Sequence, residues 1–501
     1  MRQFGAAGDG VRDDTHAIQA GLDVASAGGG VLYLPPGTYL VRPSRVVGAP
    51  DYHAGAAAQF GPLHSCLAMR SGVEMRGDRA VIRLADAVST DRAPVNLTIL
   101  HASAPLSRLS FQGLTFDLNG TRNPISPNRN WPGQLHERYS RMHHSAIMFS
   151  GPDGAGTDVT IRHCRFINSA GVNCIIAGFI VPATGLGRRW IVEDCEFLEN
   201  GLDSYDHSSV YLWAEESVVR RCTFRNAAAY GRGEGSTGIN AACELHGADS
   251  SFENNIVDGS NRGVYMATNG VRRCDNLRVA GNRFYRQQHS FADLYYEGGG
   301  DPPPSGWEIV DNKVRFDPVR AGNVPDQMLC AVSIIQGGPI ASVLIARNAA
   351  SRPLQTFGHS GAFCVIGLVQ AGFGEIVVEG NVTHGFTNGI YAYGIGSPLY
   401  ALDTLISRGN RWLDLAGGTV PPLPKAAVHL LLNATTIGRV IVDGDTLTGS
   451  GNMADIAGAV VLRGRAPGGI RSLSVTAMML GSGIPRRLEL VNQGTVIGNR
   501  E

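Results

Sequence analysis

Lysine is almost missing from this chain. Lys313 and Lys425 are the only two among 43 basic residues, and arginine supplies the rest. Any chemistry that needs a lysine base is therefore nearly excluded, because Lys313 falls within a repeat strand and Lys425 is remote. Net charge is missing too: 43 acidic residues balance 43 basic ones. Neither a nucleic acid nor an anionic membrane is implied as a partner. No apolar run approaches the ~20 residues a membrane-spanning helix requires. The nine cysteines are odd in number and form no C-x-x-C. Buried thiols are expected, not a disulfide framework or a zinc motif. No leader is expected within this sequence ahead of the first fold element, since Met1-Arg-Gln-Phe4 is expected to enter it almost at once. Location stays open, with a secreted or periplasmic protein given without its export signal as the favoured expectation.

What the chain does have is a repeat. Segments such as I-R-H-C-R-F, V-E-D-C-E-F, V-A-G-N-R-F and V-E-G-N-V-T recur along it. Their fourth residues are Cys164, Cys195, Cys222, Asn255, Asn282, Asn312, Asn348, Asn381, Asn410 and Asp445, spaced 27 to 36 residues apart. A period of this size means stacked supersecondary units. Between the repeat positions the apolar stretches are short and alternating, as in Ser209-Val-Tyr-Leu-Trp213, and turn residues bound them. The unit is thus β, and the fold class is all-β: a right-handed parallel β-helix. Asn suits the repeat position because it tolerates a left-handed backbone and because its amide can bond to the Asn one coil away.

The first 40 residues contain F-G-A-A-G-D-G-V-R-D-D-T-H-A-I-Q, then G-G-G-V-L-Y-L-P-P-G-T-Y. This opening resembles that of the pectate-lyase-like superfamily. The group includes polysaccharide lyases, glycoside hydrolases, alginate C5-epimerases and tailspike depolymerases. The resemblance implies one β-helix domain over residues 1–501 with a capping helix near 13–26, N-capped by Asp14 or Thr15, whose Ile18, Leu22 and Ala25 share a face. It implies a polysaccharide or oligosaccharide substrate, and a homotrimer if the relation is to tailspikes. No cofactor is expected, save calcium if the reaction is a lyase's. Two insertions, 42–65 and 117–143, are candidate groove walls, the second carrying Trp131.

Alternation along the strands nominates an outward face. With Val210, Leu212, Cys243, Leu245, Val264, Met266 and Leu294 pointing in, the outward residues are Tyr211, Trp213, Glu215, Glu244, His246, Tyr265, Asp293, Tyr295 and Glu297. Counting back from the repeat positions makes Tyr211 a neighbour of Glu244, and Trp213 a neighbour of His246. Aromatic rings suit sugar faces; carboxylates and imidazole suit proton transfer. Glu244, His246, Asp293 and Glu297 are the catalytic candidates. Tyr211, Trp213, Glu215, Tyr265, Tyr295, Arg232, Arg286 and Trp131 are the substrate-binding ones. No metal ligand set stands out.

Three reactions fit these residues. Hydrolysis by paired carboxylates is favoured, with Glu244 and a second carboxylate two coils on. A uronate lyase would use Arg232, Arg262 or Arg286 against the sugar carboxylate, and His246, Tyr211 or Tyr265 for the proton. A C5-epimerase shares that proton abstraction, and Glu244-Leu-His246 is similar to the D-P-H element of alginate epimerases. Pro is replaced here by Leu, Asp by Glu, and the Tyr three residues before by Ala241. A non-catalytic, tailspike-like carbohydrate binder is the remaining reading.

Overall fold

The computed structural model describes the chain outside residues 49–60, 91, 126–141, 151–155, 179–185, 205, 226–238, 269–273, 296–301, 318–328, 337–338, 354–359, 369–371, 417–422, 450–455, 465–467, 482–487, 492–494 and 497–501. Trp131, Arg232 and Glu297 lie outside the described residues. The chain divides into two compact units, Met1–Ser260 and Asn261–Glu501. Each consists of coils of a right-handed parallel β-helix, in which a strand pairs in parallel with its counterpart one coil on.

The coil is set by its repeat turn. In all ten repeats the residue with a left-handed backbone is the one before the expected position: His163, Asp194, Arg221, Asn254, Gly281, Asp311, Arg347, Gly380, Gly409 and Gly444, with φ between 52° and 68°. The expectation that the repeat Asn itself takes this conformation is corrected. That Asn is retained for its side chain. In the second unit, the Asn348 side-chain oxygen accepts from the Asn312 backbone N–H (3.0 Å) and from Asn312 Nδ2 (2.9 Å). Its own Nδ2 donates to the Ile309 carbonyl (2.9 Å) and to Asn381 Oδ1 (3.0 Å). Asn282, Asn381 and Asn410 continue the pattern.

Asp445 ends the ladder, where an acceptor alone suffices. One oxygen takes the Asn410 N–H and Nδ2, and the other takes Ser407 Oγ and Trp412 Nε1. Burial raises its pKa, against the pull of these donors. Asn348→Ala would orphan the Asn312 N–H and one Asn312 amide proton, and would take one donor from the Ile309 carbonyl. Each buried unsatisfied group costs roughly 1–3 kcal/mol. A lowered urea midpoint with an intact β spectrum is the expected result; an unchanged midpoint would remove the ladder from the stability argument.

In the first unit the ladder column is Cys164, Cys195 and Cys222, and the Cys222 N–H donates to Asn255 Oδ1 (2.8 Å). All nine cysteines are buried thiols. Two residues beyond them, Phe166, Phe197 and Phe224 stack in register, continuing from Phe116 of the preceding coil, with centroids 5.3, 4.9 and 4.6 Å apart. Identical side chains at the coil spacing (about 4.8 Å) place ring on ring.

The helix spans Thr15–Gly28 and buries Ile18, Leu22 and Ala25, as its spacing required. Asp14 occupies the N-cap position, but its carboxylate accepts from the Ala7 and Gly8 N–H groups, at 2.7 and 2.9 Å. Asp13 instead takes the Thr15 N–H, at 3.0 Å. The conspicuous Gly-Asp-Gly and Asp-Asp-Thr pieces thus clamp the opening turn to the helix start. From the first insertion, Arg45–Val47 and Leu63–Ala68 form an antiparallel pair.

Candidate functional site

In the first unit, strands of six successive coils carry one outward column. Its register partners are Ala68, His101, Met148, Ile176, Tyr211 and Glu244 in order. Val47 and Leu63 of the antiparallel pair pack with Met148 and Ile176, and Tyr211 leans on this cluster. The column is buried through Ile176 and becomes partly exposed at Tyr211 and Glu244. The insertion thereby defines where the face opens, and it opens at the first-choice catalytic residue.

Tyr211 and Glu244 are register partners, as the counting requires. His246 follows two residues after Glu244 and lies in ring contact with both aromatics, at 4.7 Å from Tyr211 and 5.1 Å from Trp213. Its Nε2 is 3.2 Å from Glu244 Oε2. The Glu244 side chain is 20% exposed, whereas that of His246 is 2% exposed. The dyad therefore presents its carboxylate and keeps its imidazole behind.

Trp213 departs from the expectation of an outward sugar platform. The strand ends at Leu212 and the Trp213 side chain is 1% exposed. It lies parallel to Tyr211 at 6.3 Å and supports His246. Glu215 pairs with Arg188 one coil before, at 3.9 Å, and is not gathered into the dyad. His207, four residues before Tyr211, is buried. Burial holds its pKa down to about 4, against the Gly171 carbonyl (2.9 Å) and Glu244, which raise it.

The second unit holds another polar cluster. Asp293 is the register partner of Tyr265 and is 6% exposed. Its Oδ2 accepts from Ser290 Oγ, and its Oδ1 accepts from Arg262 Nη1 (3.0 Å). The same guanidinium nitrogen lies 2.7 Å from His289 Nδ1 and 2.9 Å from Ser290 Oγ. Burial works against the Arg262 charge, but Asp293, Tyr265 and Cys330 keep its pKa raised. Both Asp293 oxygens are thus engaged, which makes it a poor free acid or base. Tyr295 is partly exposed on the same strand. Arg286 sits exposed on the strand Arg283–Gln287 with φ 49°. Ser290 and Cys330 had no sequence signal beyond lying near a turn rich in His and Arg. Among the described residues no group of three or more His, Cys, Asp or Glu could hold a metal ion.

The fold and the opening motif support the resemblance to the pectate-lyase-like superfamily of right-handed parallel β-helix proteins. Residues 1–49 match the family model described as rhamnogalacturonase A/epimerase, pectate lyase-like. Over 210 residues the chain is 32% identical to mannuronan C5-epimerase AlgE2 of Azotobacter vinelandii, covering 41% of this chain and 17% of that protein. Over 42 residues it is 60% identical to alginate lyase 7 of the same organism, covering 8% of this chain and 5% of the relative. The chain thus spans less than a fifth of the length of either. Among solved structures, the tailspike protein of E. coli bacteriophage HK620 in complex with a hexasaccharide superposes with a TM-score of 0.57 at 16% identity, covering 93% of this chain and 75% of that one. That likeness is one of fold.

Proposed function

We propose that the protein acts on a uronate-containing polysaccharide by removing the proton at C5 of a sugar, as a C5-epimerase or a lyase. The observation that carries this reading is the Glu244–His246 dyad beside Tyr211, at the point where the outward column opens. Glu244 is the accessible base, and His246 positions its carboxylate. Tyr211 is the neighbouring proton donor, one coil before and about 4.8 Å along the column. Glu244 takes the C5 proton and leaves the electron pair delocalised into the sugar carboxylate. In epimerisation Tyr211 returns a proton to C5 from the other side. In elimination the C4–O bond breaks instead, and the Tyr211 proton goes to the leaving oxygen.

The relatives support this reading over hydrolysis, since they are mannuronan C5-epimerases and an alginate lyase by name. Within its own cluster Asp293 also has a donor on each oxygen, which disfavours it in a paired-carboxylate mechanism. The test is a screen of uronic-acid and neutral polysaccharides. It follows C5 inversion by proton NMR, unsaturated uronate by ultraviolet absorbance, and reducing ends together. Inversion or new absorbance, lost in Tyr211→Phe, is the expected result. Reducing ends without absorbance, on any substrate, would replace this reading with hydrolysis.

A further inference from the structure

The second unit repeats the ring geometry of the dyad without its acid. There the outward column runs Asp293, Ser333, Val365, Tyr391, His429 and Val461 by register. Tyr391 and Tyr393 stack at 5.6 Å, and His429 lies 5.0 Å from Tyr391 with its ring tilted 42°. In the first unit Tyr211 and Trp213 stack at 6.3 Å, and His246 lies 4.7 Å from Tyr211, tilted 36°. Each unit thus carries an aromatic-x-aromatic pair with an imidazole of the following coil against its tyrosine.

The differences are chemical. His246 has a carboxylate partner, whereas neither ring nitrogen of His429 has a hydrogen-bond partner among the described residues, although the side chain is 1% exposed. Buried polar groups are nearly always satisfied, and leaving one unmade costs free energy. The charged group beside His429 is Arg463, whose buried Nε is also unsatisfied. Burial, and then the Arg463 charge, push the imidazole pKa down to about 3, so it stays neutral and keeps one donor and one acceptor. Both tyrosines are partly exposed and rest on Cys330, Ala362 and Val365. The register partner of Tyr393 one coil before is Gly367, which contributes no side chain.

We propose that Tyr391, Tyr393, His429 and Arg463 form a second, non-catalytic subsite that holds an acidic sugar residue. The tyrosines supply the ring platform. His429 and the guanidinium supply the missing hydrogen bonds and the charge that selects a carboxylate. With no carboxylate hydrogen-bonded to the imidazole among the described residues, the site binds and does not react. The choice of a uronate rests on the proposed C5 chemistry, which uses the same polymer.

The test is equilibrium titration of the full chain carrying Glu244→Gln, so that turnover does not enter, with a mannuronate hexamer and a neutral glucose hexamer. Tyr391→Ala and His429→Phe in that background are each expected to weaken mannuronate binding about tenfold, which is ~1.4 kcal/mol. His429→Phe is also expected to raise the thermal midpoint, because it removes two orphaned nitrogens while keeping a ring. Equal affinity in Tyr391→Ala, a raised midpoint with unchanged affinity in His429→Phe, or equal binding of the glucose hexamer would each overturn the subsite. Failure of the catalytic reading looks different: no turnover of any uronate by the unmodified chain, with tyrosine-dependent binding intact.

Discussion

Glu244→Gln is expected to lower turnover by about 10²–10⁴-fold, the usual contribution of a positioned general base, while leaving KM within a few-fold. The side chain is partly exposed, and its described hydrogen-bond partner is His246 Nε2. A glutamine oxygen can still accept from that nitrogen, so the imidazole keeps its place between Tyr211 and Trp213. The change removes basicity and little else. Steady-state kinetics on a uronate polymer check this, with circular dichroism to confirm the fold. A loss confined to KM would make Glu244 a binding residue and move the base elsewhere. Tyr211→Phe is the companion change. It keeps the ring against Val47, Leu63 and His246 and deletes only the hydroxyl. Loss of turnover in both variants, with binding retained, identifies the pair as the proton-handling groups.

Acid should unfold this protein through its buried histidines, well above the range where carboxylates titrate. Burial holds His101, His144 and His207 down to about 4, and His143 and His429 to about 3, against an ordinary value of 6.5. The folded pKa values are depressed, so above pH 6.5 both states are neutral and nothing is lost. Between 6.5 and about 4 the unfolded chain binds a proton at each site that the folded chain refuses. Stability therefore falls as pH falls, by about 1.4 kcal/mol per pH unit for each histidine. It levels off once the folded pKa is passed. Four of the five lie in the first unit. Thermal midpoints measured from about pH 7.5 down to about pH 5 should drop steeply. His101→Asn should flatten the curve by one proton's worth. A midpoint that stays level over that interval would mean that the folded chain accepts these protons.

Some of this was legible without coordinates because it depends on period alone. The recurring Cys, Asn or Asp marks the coil, and the two-residue alternation of Val210, Leu212, Cys243 and Leu245 identifies what points inward. Counting from those marks was enough to set Tyr211 beside Glu244 and Trp213 beside His246. It misplaced the left-handed residue by one, because Asn is compatible with that backbone and with a side-chain ladder, and sequence cannot say which use wins. The structure shows that the preceding residue turns the chain and leaves the Asn amide to bond between coils.

Exposure was beyond the sequence, since alternation assigns a face and not what covers it. Trp213 and His246 belong to the outward side yet are buried. Val47 and Leu63 reach Ile176 and Tyr211 from an insertion more than a hundred residues earlier in the chain. Alternation nominated Asp293 as a second carboxylate, and only the structure shows that Arg262 and Ser290 hydrogen-bond to its two oxygens. By itself the sequence determined the coil, the inward face and the neighbours across one coil, because parallel stacking converts spacing directly into contact. Only the tertiary structure decided which polar groups are open, paired or orphaned. That depends on loops and turns whose paths no repeat dictates.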